Sequence, residues 1–188
     1  MGDVRAAAAE ALAAGKLIVY PTDTLLGLGA AATEAAAVDA LLAAKGRPSG
    51  MPISVAVSSL EEVELLVDWD DPARAIARRL LPGPVTLLAR ASAGARRRLA
   101  PHLLGPDGSI GIRVPDHPVA REIARTAGPI TATSANRHGE PPCRTVPEAR
   151  RVFGAQVAAY VTEGPAPSGR PSALVDLRGR IPRVVTRG

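Results

Sequence analysis

Two cations, Lys45 and Arg47, are the residues whose type and spacing most directly suggest chemistry in this chain. The sequence has 23 basic residues, and all of them except Lys16 and Lys45 are arginine. A compact ammonium beside a forked guanidinium could bind adjacent phosphate groups, the first as a point charge and the second through two hydrogen bonds. Two cations at a helix C-terminus would also complement the helix dipole, so the local sequence leaves both interpretations open.

Three further polar residues lie in or next to apolar segments that are typical of buried strands. Ser134 and Asn136 directly follow one such segment, at the kind of strand end where α/β sheets bind ligands, although an ordinary turn has the same residues. Arg113 lies inside another apolar segment. Because a buried guanidinium needs a partner, we expect it to meet either a structural carboxylate such as Asp116 or the carboxylate of a ligand.

The sequence lacks the common motifs of metal and nucleophilic catalysis. Its histidines, His102, His117 and His138, do not have metal-ligand spacing, and a single cysteine cannot complete a zinc site. There is no Gly-x-Ser-x-Gly elbow and no Walker-type phosphate loop. Cys143 lies between Pro142 and Arg144 without a recognisable nucleophile motif, so we interpret it as an inert thiol. Hydroxyls, amides and cations remain, which predicts a site that binds and positions its substrates.

The elements that must position these residues alternate between helix and strand signals. The pattern predicts helices over 4–14, 34–44, 59–67, 72–81, 118–127 and 146–153, and strands over 17–20, 52–57, 85–89, 110–114, 129–133, 157–162, 173–177 and 182–186. Thr33 is predicted to cap the second helix, and Ser59 with Glu62 forms a capping box for the third. Interleaved strands and helices predict an α/β (α+β) domain with a twisted, mixed sheet. The last three strands have no helix between them, so part of the sheet is expected to be antiparallel.

Length and composition narrow the class of protein. The 188 residues suffice for one well-buried domain, and with four aromatic residues the core must be built mainly from aliphatic side chains. A net charge of +5 favours an anionic partner such as a nucleotide or RNA, although Arg96-Arg97-Arg98 is more typical of a solvated helix face. One cysteine and the lack of a long apolar segment predict a reducing cytoplasm and no membrane association.

Taken together, the motifs resemble those of the YrdC/YciO family, whose mark is a Lys-x-Arg pair followed by a distant Ser-x-Asn. Here these are Lys45-Gly46-Arg47 and Ser134-Ala135-Asn136. The resemblance covers the chain from about Gly15 to Arg187. Four further segments recur in order: Pro21 to Gly29, Pro82 to Leu87, Arg113 to Pro118, and Ser172 to Asp176.

The resemblance implies a fold and an activity. It implies one YrdC-like domain over residues 1–188, with helices flanking a mixed sheet and without the additional C-terminal domain of longer members. The implied reaction joins L-threonine, bicarbonate and ATP to form threonylcarbamoyl-AMP and pyrophosphate, for the t6A modification of tRNA. The implied cofactor is Mg²⁺ carried with ATP. The implied partners are the tRNA-modification proteins that transfer the threonylcarbamoyl group, together with weak binding of tRNA or double-stranded RNA.

The resemblance also implies roles for individual residues. Lys45 and Arg47 would be catalytic and would hold the phosphates, and no side chain is expected to bind the metal directly. The remaining ATP-binding candidates are Ser109, Ser134, Asn136 and Arg187. The threonine-binding candidates are Thr24, Arg113, Ala132 and Ser172.

One departure from the family pattern leaves part of the site open. Many members read Asn-Pro-Leu-x-Val-His after the Lys-x-Arg-Pro segment, whereas this chain has Met51 and Ala56 in place of the asparagine and the histidine. This departure favours one alternative, a YciO-like paralogue, and the net charge of +5 allows another, a non-catalytic RNA-binding module. A carbamoyl-adenylate enzyme of hydrogenase maturation is a third, although those domains belong to much longer chains.

Overall fold

The computed structural model describes residues 4–48 and 50–185, which form a ten-stranded sheet flanked by helices. The helices are α1 (Val4–Ala13), α2 (Ala35–Lys45), α3 (Leu60–Leu66), α4 (Asp71–Leu80), α5 (Ala93–Arg98), α6 (Pro118–Ala127) and α7 (Val146–Phe153). The strands are β1 (Leu17–Pro21), β2 (Leu26–Gly29), β3 (Ser54–Ala56), β4 (Val67–Asp68), β5 (Val85–Ala91), β6 (Ser109–Arg113), β7 (Ile130–Ser134), β8 (Val157–Tyr160), β9 (Ala173–Asp176) and β10 (Arg183–Val185). None of the described helices is long and apolar enough to cross a lipid bilayer.

The sheet is mixed, as the sequence predicts. Its strand order is β10-β9-β5-β6-β3-β7-β2-β1-β8, and β4 pairs with β5 beside this path. Three pairs are parallel, namely β1 with β8, β3 with β6, and β5 with β9. The expected antiparallel arrangement at the end of the chain is confirmed for β9 and β10, whereas β8 lies at the opposite edge of the sheet.

The structure corrects several local predictions. Thr33 does not cap α2, because Glu34 occupies the N-cap position and makes no side-chain cap hydrogen bond. Ser59 does cap α3, since its side chain accepts a hydrogen bond from the Glu62 backbone N–H. The sequence patterns did not identify β2 and β4 as strands or α5 as a complete helix. These elements are short, so their periodicity is weak and long-range pairing decides their structure.

The two faces of the sheet are covered to different extents. One face packs against α2, α3, α4, α5 and α7 in the larger apolar cluster, which includes Leu28 and Ile112. The other face is covered at one end, where α1 and α6 pack on Ala56 and Ile130. The rest of this second face, which we call the open face, carries small and polar residues: Gly27, Ser54, Thr86, Gly111, Arg113, Ala132 and Ser134.

Tyr20 makes Gly27 necessary at the edge of the open face. A Cβ atom added to Gly27 would lie 2.8 Å from Cε1 of Tyr20, and the Tyr20 hydroxyl is fixed by donating to the Thr131 carbonyl at 3.0 Å. Replacing Gly27 with alanine is therefore expected to lower the free energy of unfolding by about 1–3 kcal/mol through overpacking. Urea unfolding measures the change, with Gly179→Ala as the matched control because a Cβ there meets nothing closer than 4.0 Å. Equal stability of the two variants would contradict this packing argument.

Candidate active site

A cavity of about 240 Å³ lies on the open face, between the Thr22–Gly27 segment and the strands at the centre of the sheet. Its walls include six residues predicted from the sequence: Thr24, Arg47, Arg113, Ala132, Ser134 and Ser172. Pockets that enclose drug-sized ligands usually measure about 300–1,000 Å³. This cavity therefore suits an amino acid and a few further atoms, and a nucleotide would have to extend along the open face.

Arg113 is the buried cation of the cavity, with 6% of its surface exposed. Its Nη2 donates to Oδ1 of Asp23 at 2.6 Å, and its Nη1 donates to Oγ1 of Thr24 at 2.9 Å. The structural carboxylate is therefore Asp23 from the β1–β2 loop and not Asp116. The Nε of Arg113 and Oδ2 of Asp23 have no hydrogen-bond partner in the part of the chain that the structure describes. The guanidinium thus keeps hydrogen-bonding capacity for a carboxylate ligand.

Thr24 is held between Arg113 and a tight turn. Thr22 Oγ1 donates to the Leu25 carbonyl at 2.7 Å and accepts from the backbone N–H groups of Thr24 and Leu25. Because this uses the Thr22 proton, the 3.0 Å contact between the two threonine hydroxyls is donated by Thr24. Thr24 can then accept from Arg113. This chain of hydrogen bonds fixes the guanidinium and the hydroxyl together at one end of the cavity.

The segment before β9 closes this end of the cavity. The backbone N–H of Gly169 donates to the Thr24 carbonyl at 2.8 Å, and the N–H of Ser168 donates to the Asp23 carbonyl at 3.1 Å. Pro171 and Ser172 then line the cavity, and the Ser172 hydroxyl is 2.9 Å from the hydroxyl of Thr86. The predicted threonine-binding residues therefore come together from four separate parts of the chain.

Lys45 has a different place from the one expected for a phosphate ligand. It is 2% exposed, and its Nζ donates to the Ser134 carbonyl at 2.6 Å, the Asn136 carbonyl at 2.8 Å and Asn136 Oδ1 at 3.1 Å. All three N–H groups of the ammonium are therefore directed at the Ser134–Asn136 turn. Burial, followed by the charge of Arg47, lowers the pKa of Lys45 from 10.5 to about 8.

Asn136 and Ser134 complete the same network. Asn136 Oδ1 accepts from the Ser134 hydroxyl at 2.6 Å, and Asn136 Nδ2 donates to the carbonyls of Arg137 and Glu140. Both the oxygen and the nitrogen of the Asn136 amide are thus hydrogen-bonded within the protein. Ser134 lines the cavity, so its hydroxyl oxygen can still accept a hydrogen bond from a ligand.

Gly46 separates the directions of Lys45 and Arg47. It ends α2 with φ of 61° in the left-handed region, which glycine adopts without a steric penalty. After this turn Arg47 lines the cavity, and its guanidinium donates to the carbonyls of Met51 at 3.2 Å and Pro52 at 3.4 Å. Of the two cations in the Lys-x-Arg motif, Arg47 is therefore the one presented to a ligand.

One predicted ATP-binding residue, Ser109, lies apart from this cavity, and another lies outside the residues that the structure describes. Ser109 begins β6 and shares the face of Arg113, about 13 Å along the strand. Its backbone N–H donates to Asp107 Oδ1 at 3.1 Å, and its hydroxyl also bonds this carboxylate and lowers the pKa of Asp107. Arg187 lies outside the described residues.

Sequence reasoning did not single out three residues that the structure places in or beside the site. Tyr20 lines the cavity with a fully buried ring, and Ser54 lines it from the central strand β3. Asp23 lies behind them as the partner of Arg113. The position of Tyr20 immediately before the Pro21-Thr22 turn was an available signal. The residue register that exposes Ser54 could not be read without the strand pairing.

No group of three or more histidine, cysteine, aspartate or glutamate side chains within residues 4–48 and 50–185 is arranged to hold a metal ion. Cys143 is buried, and burial raises the pKa of its thiol. The lining of the cavity offers cations, hydroxyls and backbone groups to a ligand, an arrangement that suits the binding and positioning of substrates.

Comparison with known proteins identifies the family. The Sua5/YciO/YrdC family model, which carries the description "Telomere recombination", matches residues 10–188. The chain belongs to the Sua5/YciO/YrdC family. Within this family, a protein of Mycobacterium tuberculosis (strain CDC 1551 / Oshkosh) named putative threonylcarbamoyl-AMP synthase is 40% identical over 182 residues, which are 96% of this chain and 82% of the relative.

Solved structures of Sua5/YciO/YrdC proteins share the fold. The crystal structure of P. abyssi Sua5 complexed with L-threonine superposes with a TM-score of 0.87 at 30% identity, covering 96% of this chain and 52% of Sua5. The crystal structure of E. coli YciO gives a TM-score of 0.84 at 25% identity, covering 98% of this chain and 90% of YciO. The predicted family and fold are therefore confirmed.

Proposed function

We propose that this chain is a threonylcarbamoyl-AMP synthase, which converts L-threonine, bicarbonate and ATP into threonylcarbamoyl-AMP and pyrophosphate. The observation that carries the proposal is one cavity with Arg113 at one end and Arg47 with Ser134 at the other. The buried guanidinium of Arg113 suits the threonine carboxylate, and the half-buried guanidinium of Arg47 suits a phosphate. Relatives named threonylcarbamoyl-AMP synthase, at 33–40% identity over most of the chain, support the same conclusion.

The proposed reaction needs no nucleophile from the protein. The threonine amine attacks the carbon of bicarbonate and loses a proton, and water leaves to give a carbamate. A carbamate oxygen then attacks the α-phosphorus of ATP, and pyrophosphate leaves. The chain's contribution is to hold the carboxylate at Arg113 and the phosphates near Arg47 and Ser134, so that the reacting atoms meet in the cavity.

Lys45 and Asn136 have a supporting role in this proposal. Their hydrogen bonds fix the Ser134–Asn136 turn, so the Ser134 hydroxyl is held in one position before ATP binds. Preorganised groups avoid a reorganisation cost during the reaction. Lys45 is therefore assigned as a positioning residue, and its charge contributes to the field around the phosphates from a distance.

Mg²⁺ is proposed to enter with the triphosphate. The side chains that line the cavity are hydroxyl-bearing, apolar or cationic, and they include no carboxylate among the described residues. Such a lining fits a metal ion already bound to phosphate oxygens better than a bare ion, since Mg²⁺ is usually held by one or two carboxylates plus substrate phosphates. The ion would neutralise part of the triphosphate charge.

The same proposal includes a cytoplasmic location and partner proteins that accept the threonylcarbamoyl group for t6A modification of tRNA. A separate proposal is that the chain contacts tRNA or double-stranded RNA directly. It is supported by the net charge of +5 and by the exposed arginines Arg96, Arg97 and Arg98 in α5.

Pyrophosphate release from ATP tests the proposed function. Purified protein with Mg²⁺ is expected to release pyrophosphate only when both L-threonine and bicarbonate are present. L-serine is expected to react with a kcat/KM at least about 10-fold lower, because it lacks the methyl group. Release that is independent of threonine, or no release from a protein shown by circular dichroism to be folded, would overturn the proposal.

A further inference from the structure

Ser54 lies at the centre of the open face and lines the cavity from β3. Strand β3 pairs with β6 on one side, with Ala56 opposite Arg113, and with β7 on the other, with Ser54 opposite Ala132. The Ser54 side chain is half-buried, and its hydroxyl has no hydrogen-bond partner among residues 4–48 and 50–185. The central strand thus presents to the cavity a hydroxyl that has no hydrogen-bond partner among the described residues.

The strand register places Ser54 between the two ends of the site. Because β3 and β6 are parallel, Arg113 lies across from Ser54 and two residues further in the direction of Ala56. Because β3 and β7 are antiparallel, Ser134 lies two residues away in the opposite direction. Strand spacing and rise put each Cα atom about 8 Å from that of Ser54. The hydroxyl is therefore midway between the carboxylate end and the phosphate end.

The neighbours of Ser54 leave room for its side chain and for a ligand group. A Cβ atom on Gly111 would lie 2.6 Å from Ser54 Oγ, so the glycine makes space for the hydroxyl. On the other side Ala132 contributes a methyl group. A ligand that spans from Arg113 to Ser134 must therefore pass next to the Ser54 oxygen.

Ala56 shows why such a hydroxyl matters in this chain. Many family members have histidine at this position, whereas here the side chain is a methyl group packed in the apolar cluster with Ile130. Ser54 is two residues earlier on the same strand and points to the same face. In this chain the polar side chain of the strand therefore lies two residues from the position of the family histidine, closer to the middle of the cavity.

We propose that Ser54 binds the carbamate formed between threonine and ATP, by donating its hydroxyl hydrogen to a carbamate or bicarbonate oxygen. This inference rests on the proposed function and adds a binding residue to it. The hydroxyl remains unchanged during the reaction. It holds the carbamate so that one of its oxygens faces the α-phosphorus while Arg113 retains the carboxylate.

Ser54→Ala tests the proposal, with Ser58→Ala as the matched control because Ser58 follows the strand and does not line the cavity. Loss of a hydrogen bond to a charged group is expected to raise the bicarbonate concentration for half-maximal rate by about 10-fold or more. The dissociation constant of L-threonine alone, measured by calorimetry, should change less than about 2-fold. Ser58→Ala should leave both values unchanged.

Binding of N-carbamoyl-L-threonine, a stable mimic of the carbamate, separates this inference from the proposed function. Ser54→Ala is expected to weaken binding of the mimic by about 10-fold relative to its effect on threonine. An equal effect on both ligands would overturn the role of Ser54, whether or not the protein releases pyrophosphate. Selective loss of the mimic in a protein without synthase activity would instead support Ser54 as a carbamoyl-binding residue and refute the synthase reaction.

Discussion

Replacing Arg113 with alanine is expected to raise the threonine concentration for half-maximal pyrophosphate release by about 100-fold or more. The reason is the loss of a buried guanidinium that can make two charge-assisted hydrogen bonds to the substrate carboxylate. Initial rates measured against threonine concentration give the change. Arg125→Ala is the matched control because this arginine is exposed on α6, away from the cavity.

The Arg113 variant also needs a control for stability. Removing the guanidinium leaves the largely buried Asp23 carboxylate without its 2.6 Å partner, and such a loss in a fully buried pair typically costs about 3–5 kcal/mol. The double variant Arg113→Ala with Asp23→Ala removes both charges and should recover much of the stability without recovering threonine binding. If the folded double variant releases pyrophosphate with the same dependence on threonine concentration as the native chain, Arg113 has only a structural role.

Replacing Lys45 with methionine is expected to reduce pyrophosphate release by about 10²-fold or more. Methionine keeps the length of the side chain but leaves the carbonyls of Ser134 and Asn136 and the Asn136 amide oxygen without the ammonium donor. The Ser134 hydroxyl would then lose its fixed position. Steady-state kinetics with Lys16→Met, which changes the other, exposed lysine, provide the comparison.

The pH dependence of stability distinguishes a buried Lys45 from an exposed phosphate ligand. Its pKa of about 8 in the folded chain lies below the ordinary 10.5, so the unfolded chain binds more protons here between these values. The Lys45 contribution to the free energy of unfolding must therefore rise with pH through this window, by on the order of 3 kcal/mol. Urea unfolding at pH 8 and pH 10.5 should show this rise in the native chain relative to Lys45→Met. The same pH dependence in both proteins would refute the burial of Lys45.

Local sequence was sufficient for the elements with strong periodicity and clear ends. Gly15, with φ of 68°, follows the predicted first helix, and Pro118 begins the predicted sixth helix. Local sequence was misleading at Thr33, because α2 begins at Ala35 and its N-cap residue, Glu34, makes no side-chain cap hydrogen bond. A hydroxyl next to a helix shows that a cap is possible, but the backbone path into the helix decides whether it forms.

The sequence by itself identified part of the site, because the ordered motifs contain Thr24, Arg47, Arg113 and Ser134, which the structure brings to one cavity. The tertiary structure decided how they are used. Lys45 turns inward while Arg47 faces the cavity, and Arg113 meets Asp23, a residue 90 positions earlier. The physical reason is that side-chain direction depends on strand register, helix ends and turns such as Gly46. These are set by pairing between distant segments, which a motif does not contain.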